Sequence, residues 1–253
     1  FFAAPRLHEK VTMTFATEPA IFKSGDFVTL VIGYHNGNDT NLADAKLAVF
    51  LPKHFRSIAT VPDTFNALTH TFTIGTIAAG GNGTVRMTGH LIGNVGTTEE
   101  VSAMLSYGEE GTSRRESKGI SAALPITDSL LALFVDFPSE IVQDGTAPFI
   151  IQYKNTGKTV FDNITLQYDF GDALQLIEST NELKDGMVRL PSLASDGSGE
   201  IRGRVAVHTR GEPTIAFAVK AFTAEGELLQ REETKSATVI YPKVHVAAAV
   251  QEP

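Results

Sequence analysis

The stretch Phe27–Asn38 occurs twice in this chain. It reads Phe-Val-Thr-Leu-Val-Ile-Gly-Tyr-His-Asn-Gly-Asn, an alternating apolar run that ends on Tyr34, Asn36 and Gly37. A second copy, Ala147–Lys158, ends on Tyr153, Asn155 and Gly157, and its Tyr and Asn each lie 119 positions beyond the first pair. A chain of 253 residues has room for one large domain or two of ordinary size. A displacement near half the chain length selects two, each long enough to bury a core of its own.

Period-2 alternation runs through both halves. In the first, Val28, Leu30, Ile32 and Tyr34 share a face, and so do Ala45, Leu47, Val49 and Leu51 before Pro52 ends the strand. Val85, Met87, Gly89 and Leu91 face one way against Thr84, Arg86, Thr88 and His90, and Val101, Ala103, Leu105 and Tyr107 make a further strand. Turns are marked at Ser24-Gly25-Asp26 and Ala79–Gly83, where the residues tolerate the backbone angles required. Residues 53–70 show no clear period, and Ser117–Leu124 closes the half. In the second half, Ile164, Leu166, Tyr168 and Phe170 answer Ala45–Leu51 at the same displacement of 119, and Ile201, Gly203, Val205 and Val207 answer Val85–Leu91 at 116. Inward positions stay apolar while outward ones change, Thr84 against Glu200 and His90 against Ala206.

No helical period competes with this pattern. The predicted fold class is all-β: two tandem immunoglobulin-like β-sandwiches of about seven strands each. The first spans 1–124 and the second 125–242, with Leu124–Asp128 as a short link. Residues 243–253 fit the first strand of a third repeat, since Val246, Ala248 and Val250 fall in register with Leu131, Leu133 and Val135. They fit an edge-strand extension of the second unit equally well. Arg86, Arg202 and Arg204 lie on outward positions, where charge would resist unwanted edge pairing.

Composition narrows function by exclusion. The net charge of −8, from 29 acidic and 21 basic residues, argues against a nucleic-acid partner, because phosphate neutralisation needs a basic face. Cysteine is absent, which removes disulfides, thiolate catalysis and Cys-ligated zinc. Tryptophan is absent too, which weakens the case for a sugar-stacking platform. No run approaches the roughly 20 apolar residues of a membrane span, so membrane attachment is expected only through segments outside this sequence. Phe1–Ala4 reads as a frayed terminus or as the stub of an upstream anchor.

The histidines are His8, His35, His54, His70, His90, His208 and His245, and none forms a close His-x-His or helical pair. His90 and His208 are expected on solvated surface. The Gly80–Gly83 run joins two strands, whereas a phosphate cradle needs a helix N-terminus behind it. The acidic pairs Glu99-Glu100, Glu109-Glu110 and Glu232-Glu233 are expected in loops or at exposed edges. Adjacent carboxylates on a strand point to opposite faces and make poor acid–base partners. No catalytic, cofactor-binding or metal-ligating residue is predicted, and no cofactor. Calcium at a loop or at the junction between units is the one ion left open, with Asp128, Asp136 or Asp162 as hard oxygen ligands, although no dense Asp/Asn loop accompanies them. Asn38, Asn82 and Asn163 each begin an Asn-x-Ser/Thr acceptor.

Several short marks in order carry a family resemblance. Gly25-Asp26 precedes a strand ending Tyr34-His35-Asn36-Gly37-Asn38; a strand ending Leu51-Pro52 follows, then Ile74-Gly75-Thr76-Ile77 and a small-residue turn before Thr84–Leu91. This resembles the immunoglobulin-like repeats of bacterial and archaeal surface proteins, either the conserved-repeat domain of unknown function or the bacterial cell-adhesion-related domain. The second half keeps Asn155-Thr156-Gly157 but has Phe170-Gly171 in place of Leu-Pro and Pro191-Ser192-Leu193 at the Gly-Thr-Ile step. The resemblance implies a non-enzymatic stalk or adhesion module, often in tandem arrays, and transfers no functional residues.

The expected function is therefore a structural or adhesive segment of a cell-surface protein. It would be extracellular and anchored to membrane or envelope, with other surface proteins or neighbouring repeats as partners. One alternative is a glycan- or protein-binding module using the loops at one end of a sandwich; its aromatic candidates, Phe55 and Phe65, look more like core. The other is a cytosolic arrestin-like or adaptor scaffold. For Tyr34 and Asn36 a structural job is expected, with Tyr capping the core and Asn-Gly shaping the turn.

Overall fold

The computed structural model describes residues 10–110, 113–209, 211–212, 214–224 and 227–241. The fold is all-β, with several sheets and no α-helix among the described residues. Contacts divide the chain into two compact units, Phe1–Leu130 with Gly157–Thr159, and Leu131–Thr156 with Val160–Pro253.

The first unit contains β1 (Val11–Glu18), β2 (Phe22–Ser24), β3 (Phe27–Asn36), β4 (Leu42–Phe50), β5 (Phe55–Val61), β6 (Phe65–Asn66), β7 (Thr71–Ile77), β8 (Asn82–Leu91), β9 (Thr98–Glu109) and β10 (Arg115–Ser129). They form two sheets, ordered β1-β3-β8-β5 and β2-β10-β9-β4-β7-β6. The second unit contains β11 (Leu131–Asp136), β12 (Glu140–Val142), β13 (Thr146–Asn155), β14 (Thr165–Asp169), β15 (Leu174–Ser179), β16 (Met187–Arg189), β17 (Ser198–Val207), β18 (Thr214–Thr223) and β19 (Leu228–Ile240). Its sheets are ordered β11-β13-β17-β15 and β12-β19-β18-β14-β16. The two sets of orders match strand for strand, with β6 alone lacking a counterpart. Both units also share one crossing pattern. After β4 the chain passes to the far sheet as β5, returns as β7 beside β4, and crosses again as β8; β14, β15, β16 and β17 do the same.

The alternation read from the sequence is the alternation of burial. Val28, Leu30 and Ile32 from one sheet and Ala45, Leu47 and Val49 from the other are buried in one apolar cluster with Val85, Met87, Leu105 and Tyr107. Two inner faces sharing a core is what holds a sandwich together. In the second unit Ile151, Leu166, Ile201, Val205 and Val219 are buried likewise. There Phe217 gathers aromatic neighbours, with Phe149 and Phe170 each at 5.2 Å and Phe137 at 5.4 Å between ring centroids.

Four expectations need correction. Residues 53–70, without a period in the sequence, include the whole of β5, whose burial pattern exposes almost every residue after Phe55. An edge strand wet on both faces has no alternation to detect. The boundary expected between 124 and 125 falls inside β10. Leu124 and Ile126 are both core residues of the first unit. Pro125 marks where β10 leaves β9 (Pro125↔Thr98 is their last pair) and takes up β2 in parallel, Ile126↔Phe22 and Ser129↔Ser24. A proline without an N–H suits that change of partner. Arg86 lies on β8 and Arg202 and Arg204 on β17; they are exposed, but both strands sit inside their sheets and guard no edge. Asn82 and Gly83 begin β8 rather than closing the turn before it. Residues 1–4 and 243–253 lie outside the described residues.

Glycines on β8 and β17 admit an aromatic ring from the next strand. Gly83 pairs with Tyr34 and Gly199 with Tyr153, and a methyl placed on either glycine would fall on the tyrosine ring. Replacing Gly83→Ala or Gly199→Ala is expected to destabilise the unit that carries it by roughly 1–3 kcal/mol through overpacking. Gly119→Ala, whose added carbon would meet only the Ala103 carbonyl oxygen at 3.8 Å, should leave stability unchanged. Urea titrations of the three variants followed by circular dichroism separate these outcomes.

Candidate functional site

The duplicated Asn makes several hydrogen bonds in each unit. Asn36 is fully buried at the end of β3. Its Nδ2 donates to the carbonyls of Thr40 (2.9 Å), Ala78 (3.0 Å) and Ile77 (3.2 Å). Its Oδ1 accepts from the Asn38 backbone N–H (3.0 Å) and from Asn38 Nδ2 (2.8 Å). The Asn36 backbone N–H donates to Gly81 O at 2.8 Å, and Gly81 N donates to Ala78 O at 2.9 Å. Asn155 repeats this: Nδ2 donates to Leu193 O (3.0 Å) and Ala194 O (3.1 Å), its N–H donates to Gly197 O (2.9 Å), and Gly197 N donates to Ala194 O (2.9 Å). Each turn needs one left-handed residue, Gly80 (φ 67) in the first and Asp196 (φ 59) in the second, and Gly and Asp adopt that conformation at least cost. Both amides are engaged in tying a strand end to the turn beside it. Burial raises the Tyr34 and Tyr153 hydroxyls above the usual tyrosine range.

The ionisable groups lie as follows. His90 is half-buried rather than solvated. It meets Phe27 edge-on at 6.0 Å between centroids and pairs across the sheet with Arg56, and its Nδ1 is buried with no hydrogen-bond partner among the described residues. Burial first, and the Arg56 guanidinium second, hold its imidazole below the ordinary range. His208 is exposed, and His70 stacks on Phe65. Glu99 and Glu100 follow Thr98 in the pairing of β9 with β10, and Glu232 and Glu233 lie on the part of β19 that pairs with β18 on one side and has no strand on the other among the described residues. Asp128 forms an ion pair with Lys23 at 2.9 Å, while Asp136 and Asp162 are exposed in the other unit. Among the described residues no three His, Asp or Glu side chains converge on a metal-sized space. Asn38 is buried against Asn36, whereas Asn82 and Asn163 are exposed. Phe55 is buried, and Phe65 is half-buried against Phe72 at 4.8 Å.

Two hollows in the second unit escaped the sequence reading. One, of about 690 Å³, opens where the loop after β14 meets the loop after β17, and is lined by Phe170, Asp172, His208, Glu212 and Thr214. Phe170 forms its aromatic wall and lies parallel to Phe217. The other, of about 560 Å³, lies on the outer face of β11, β13 and β17 between Phe134, Gln152, Lys154 and Glu200. Lys235 reaches over the Phe134 ring at 5.5 Å. Their residues come from segments distant in sequence, so no local pattern marks them.

No protein-family model and no curated protein matches this chain. Among solved structures, a red sea bream transglutaminase aligns over 90% of this chain and 31% of its own, at 10% identity and a TM-score of 0.43. Two structures of Salmonella alpha-2-macroglobulin, a mutant and a methylamine-reacted form, align over 94% of this chain and 17% of their own. Their identities are 11% and 10%, with TM-scores of 0.37 and 0.38. The chain spans less than a third of the length of each of these three structures.

Truncating Asn36→Ala or Asn155→Ala would remove the buried amide's bonds while Ala78 O, Leu193 O and Ala194 O keep a backbone N–H donor, so each variant is expected to lose roughly 1–3 kcal/mol through the sum of lost hydrogen bonds. Asn155→Asp should cost more than Asn155→Ala, because a carboxylate would face two carbonyl oxygens. Urea midpoints rank the variants. His90 gives a pH signature. Its folded pKa lies below 6.5, so the unfolded chain binds that proton more readily and stability falls as pH drops from 6.5 through the lowered folded value. His90→Gln is expected to flatten that fall, read as urea midpoint against pH.

Proposed function

We propose that this chain is a tandem pair of immunoglobulin-like β-sandwiches serving as a non-enzymatic structural or adhesive segment of a cell-surface protein. The observation that carries this reading is the shared Asn clamp. The side chains that the two units hold in common, Tyr34 with Tyr153 and Asn36 with Asn155, are engaged in building strand ends and turns. Most outward positions on β8 and β17 differ in chemistry between the units, as Thr84 against Glu200 shows, with Arg86 and Arg202 in common. A scaffold kept constant under a changing surface suits a spacer better than a site that must keep one ligand.

With strands of two and three residues set aside, each sandwich has seven or eight strands. Only Leu130 separates β10 from β11, so one unit follows the other without a linker. The partners would be neighbouring repeats or other surface proteins. The 690 Å³ hollow walled by Phe170 favours a second reading, in which the loops at one end of the second unit bind a glycan or a peptide.

Antibodies raised against this chain should stain intact cells of the source organism, and a protease added outside should remove the signal. Staining that requires permeabilised cells would overturn the surface reading in favour of an internal scaffold. A glycan array probed with wild-type and Phe170→Ala protein tests the second reading, which predicts binding that the substitution abolishes.

A further inference from the structure

One exposed apolar side chain recurs where core packing does not explain it. Ile58 on β5 and Ile177 on β15 are 58% and 52% exposed. They lie 119 positions apart, the displacement of Tyr34 from Tyr153 and of Asn36 from Asn155. Both stand at the same irregularity. β5 pairs with β8 as Ser57↔Gly89 and next as Ala59↔Thr88, leaving Ile58 without an opposite residue. β15 pairs with β17 as Leu176↔Val205 and next as Glu178↔Arg204, leaving Ile177 in the same position. Each strand has a sheet neighbour on one side only.

A bulge on an edge strand interrupts the ladder and re-aims a side chain. Interrupting the ladder is protection against uncontrolled pairing, but that job needs no isoleucine, and a charged residue would do it better. Of the outward positions on β8 and β17, Arg86 answers Arg202 but the others changed chemistry, Thr84 to Glu200, Thr88 to Arg204 and His90 to Ala206. The bulged isoleucine did not. Its recurrence calls for a role at the surface.

The flanks identify the partner by charge. Residues 53–63 carry Lys53 and Arg56 against Asp63 alone, one net positive charge. The equivalent residues 172–182 carry Asp172, Glu178 and Glu182 and no Lys or Arg, three net negative charges. Glu178 reaches Arg204 at 3.4 Å yet keeps 66% of its side chain in solvent. The same apolar knob thus sits in a basic setting on one unit and in an acidic setting on the other.

We propose that the β5 edge of one molecule contacts the β15 edge of a second copy of this chain, with Ile58 packed against Ile177 and Arg56 facing Glu178. The bulges make this a side-chain contact rather than a continued sheet. Pairing like with like would repel strongly at two acidic edges, so the contact is heterologous, first unit to second. A contact of that kind closes into a ring or runs on as a lateral row. The inference deepens the structural reading above by naming its partner. It rests on the correspondence of the two units and not on where the protein resides.

Sedimentation equilibrium of the 253-residue chain, from about 10 µM to about 1 mM, tests it, since so small an interface is weak. The average mass should rise with protein concentration, and rise less when salt goes from about 0.05 M to about 0.5 M. Ile58→Asp and Ile177→Asp should each remain at monomer mass. Arg56→Glu and Glu178→Arg should each lose association by roughly tenfold or more alone and regain it when the two variants are mixed, because each then offers the edge that the other lacks. That mixing result also shows that both variants are folded. Wild-type protein that stays monomeric throughout would overturn the proposal. So would association that ignores the isoleucines, or charge variants that do not rescue each other. Surface staining of cells can fail while this association holds, and the reverse, so the two proposals fail separately.

Discussion

A buried primary amide at the end of one strand holds the turns of each unit in place. Asn36 takes carbonyls from the turn that follows β3 and from the segment between β7 and β8, and turns its own oxygen back to Asn38. Each of those bonds stabilises by roughly 0.5–1.5 kcal/mol net, and Ala78 O is held from a second side by the Gly81 N–H. Only a side chain with donors and an acceptor on one carbon serves both directions, so Asp or Leu would not substitute. Asn155 holds Leu193 and Ala194 in the second unit with the same atoms. The clamp fixes where β8 and β17 begin, and through them the register of each four-stranded sheet.

That register depends equally on side chains that are missing. Gly83 and Gly199 leave room for Tyr34 and Tyr153, and Gly89 and Gly203 leave room for the Phe55 and Phe149 rings. An aromatic ring laid over a glycine covers backbone that would otherwise be open and restores the packing the glycine lacks. A slip of one residue would set every ring against a side chain and turn the buried faces of β8 and β17 outward. Clamp and glycines therefore specify the same register independently.

The central strands were legible in the sequence because they are wet on one face and dry on the other. Val28 to Ile32, Ala45 to Val49 and Val85 to Leu91 alternate for that reason, and Asn36-Gly37 declares its turn through the residues themselves. The illegible parts lack such a contrast. β5 is exposed on both sides, so Ile58 and Val61 look like loop. β10 runs through Pro125, a residue that ordinarily ends a strand, because it changes partner there. Arg86 alternates outward as expected, yet whether its strand is an edge or an interior one depends on β5, which the pattern hid. The Phe170 hollow needs two loops brought together by the pairing of Leu174 with Val207 and of Asp169 with Ala218, information that no single stretch contains.

Edges are where the two kinds of sheet part company. The larger sheets end on β2 and β6 in one unit and on β12 and β16 in the other, strands of two or three residues that leave most of β10 and β19 paired on one side only. The smaller sheets cannot end so cheaply, because β1, β5, β11 and β15 must be long enough to cover the core. On β5 and β15 the chain interrupts the ladder with a bulge instead, and in both units the interruption carries isoleucine. Edge protection accounts for the bulge and leaves the residue type unaccounted for, since polar side chains protect as well and dissolve better. The units share Arg86 and Arg202 on interior strands, but the apolar side chain they share at the surface lies along a strand edge, and an edge is the part of a sheet that faces a neighbour lying alongside.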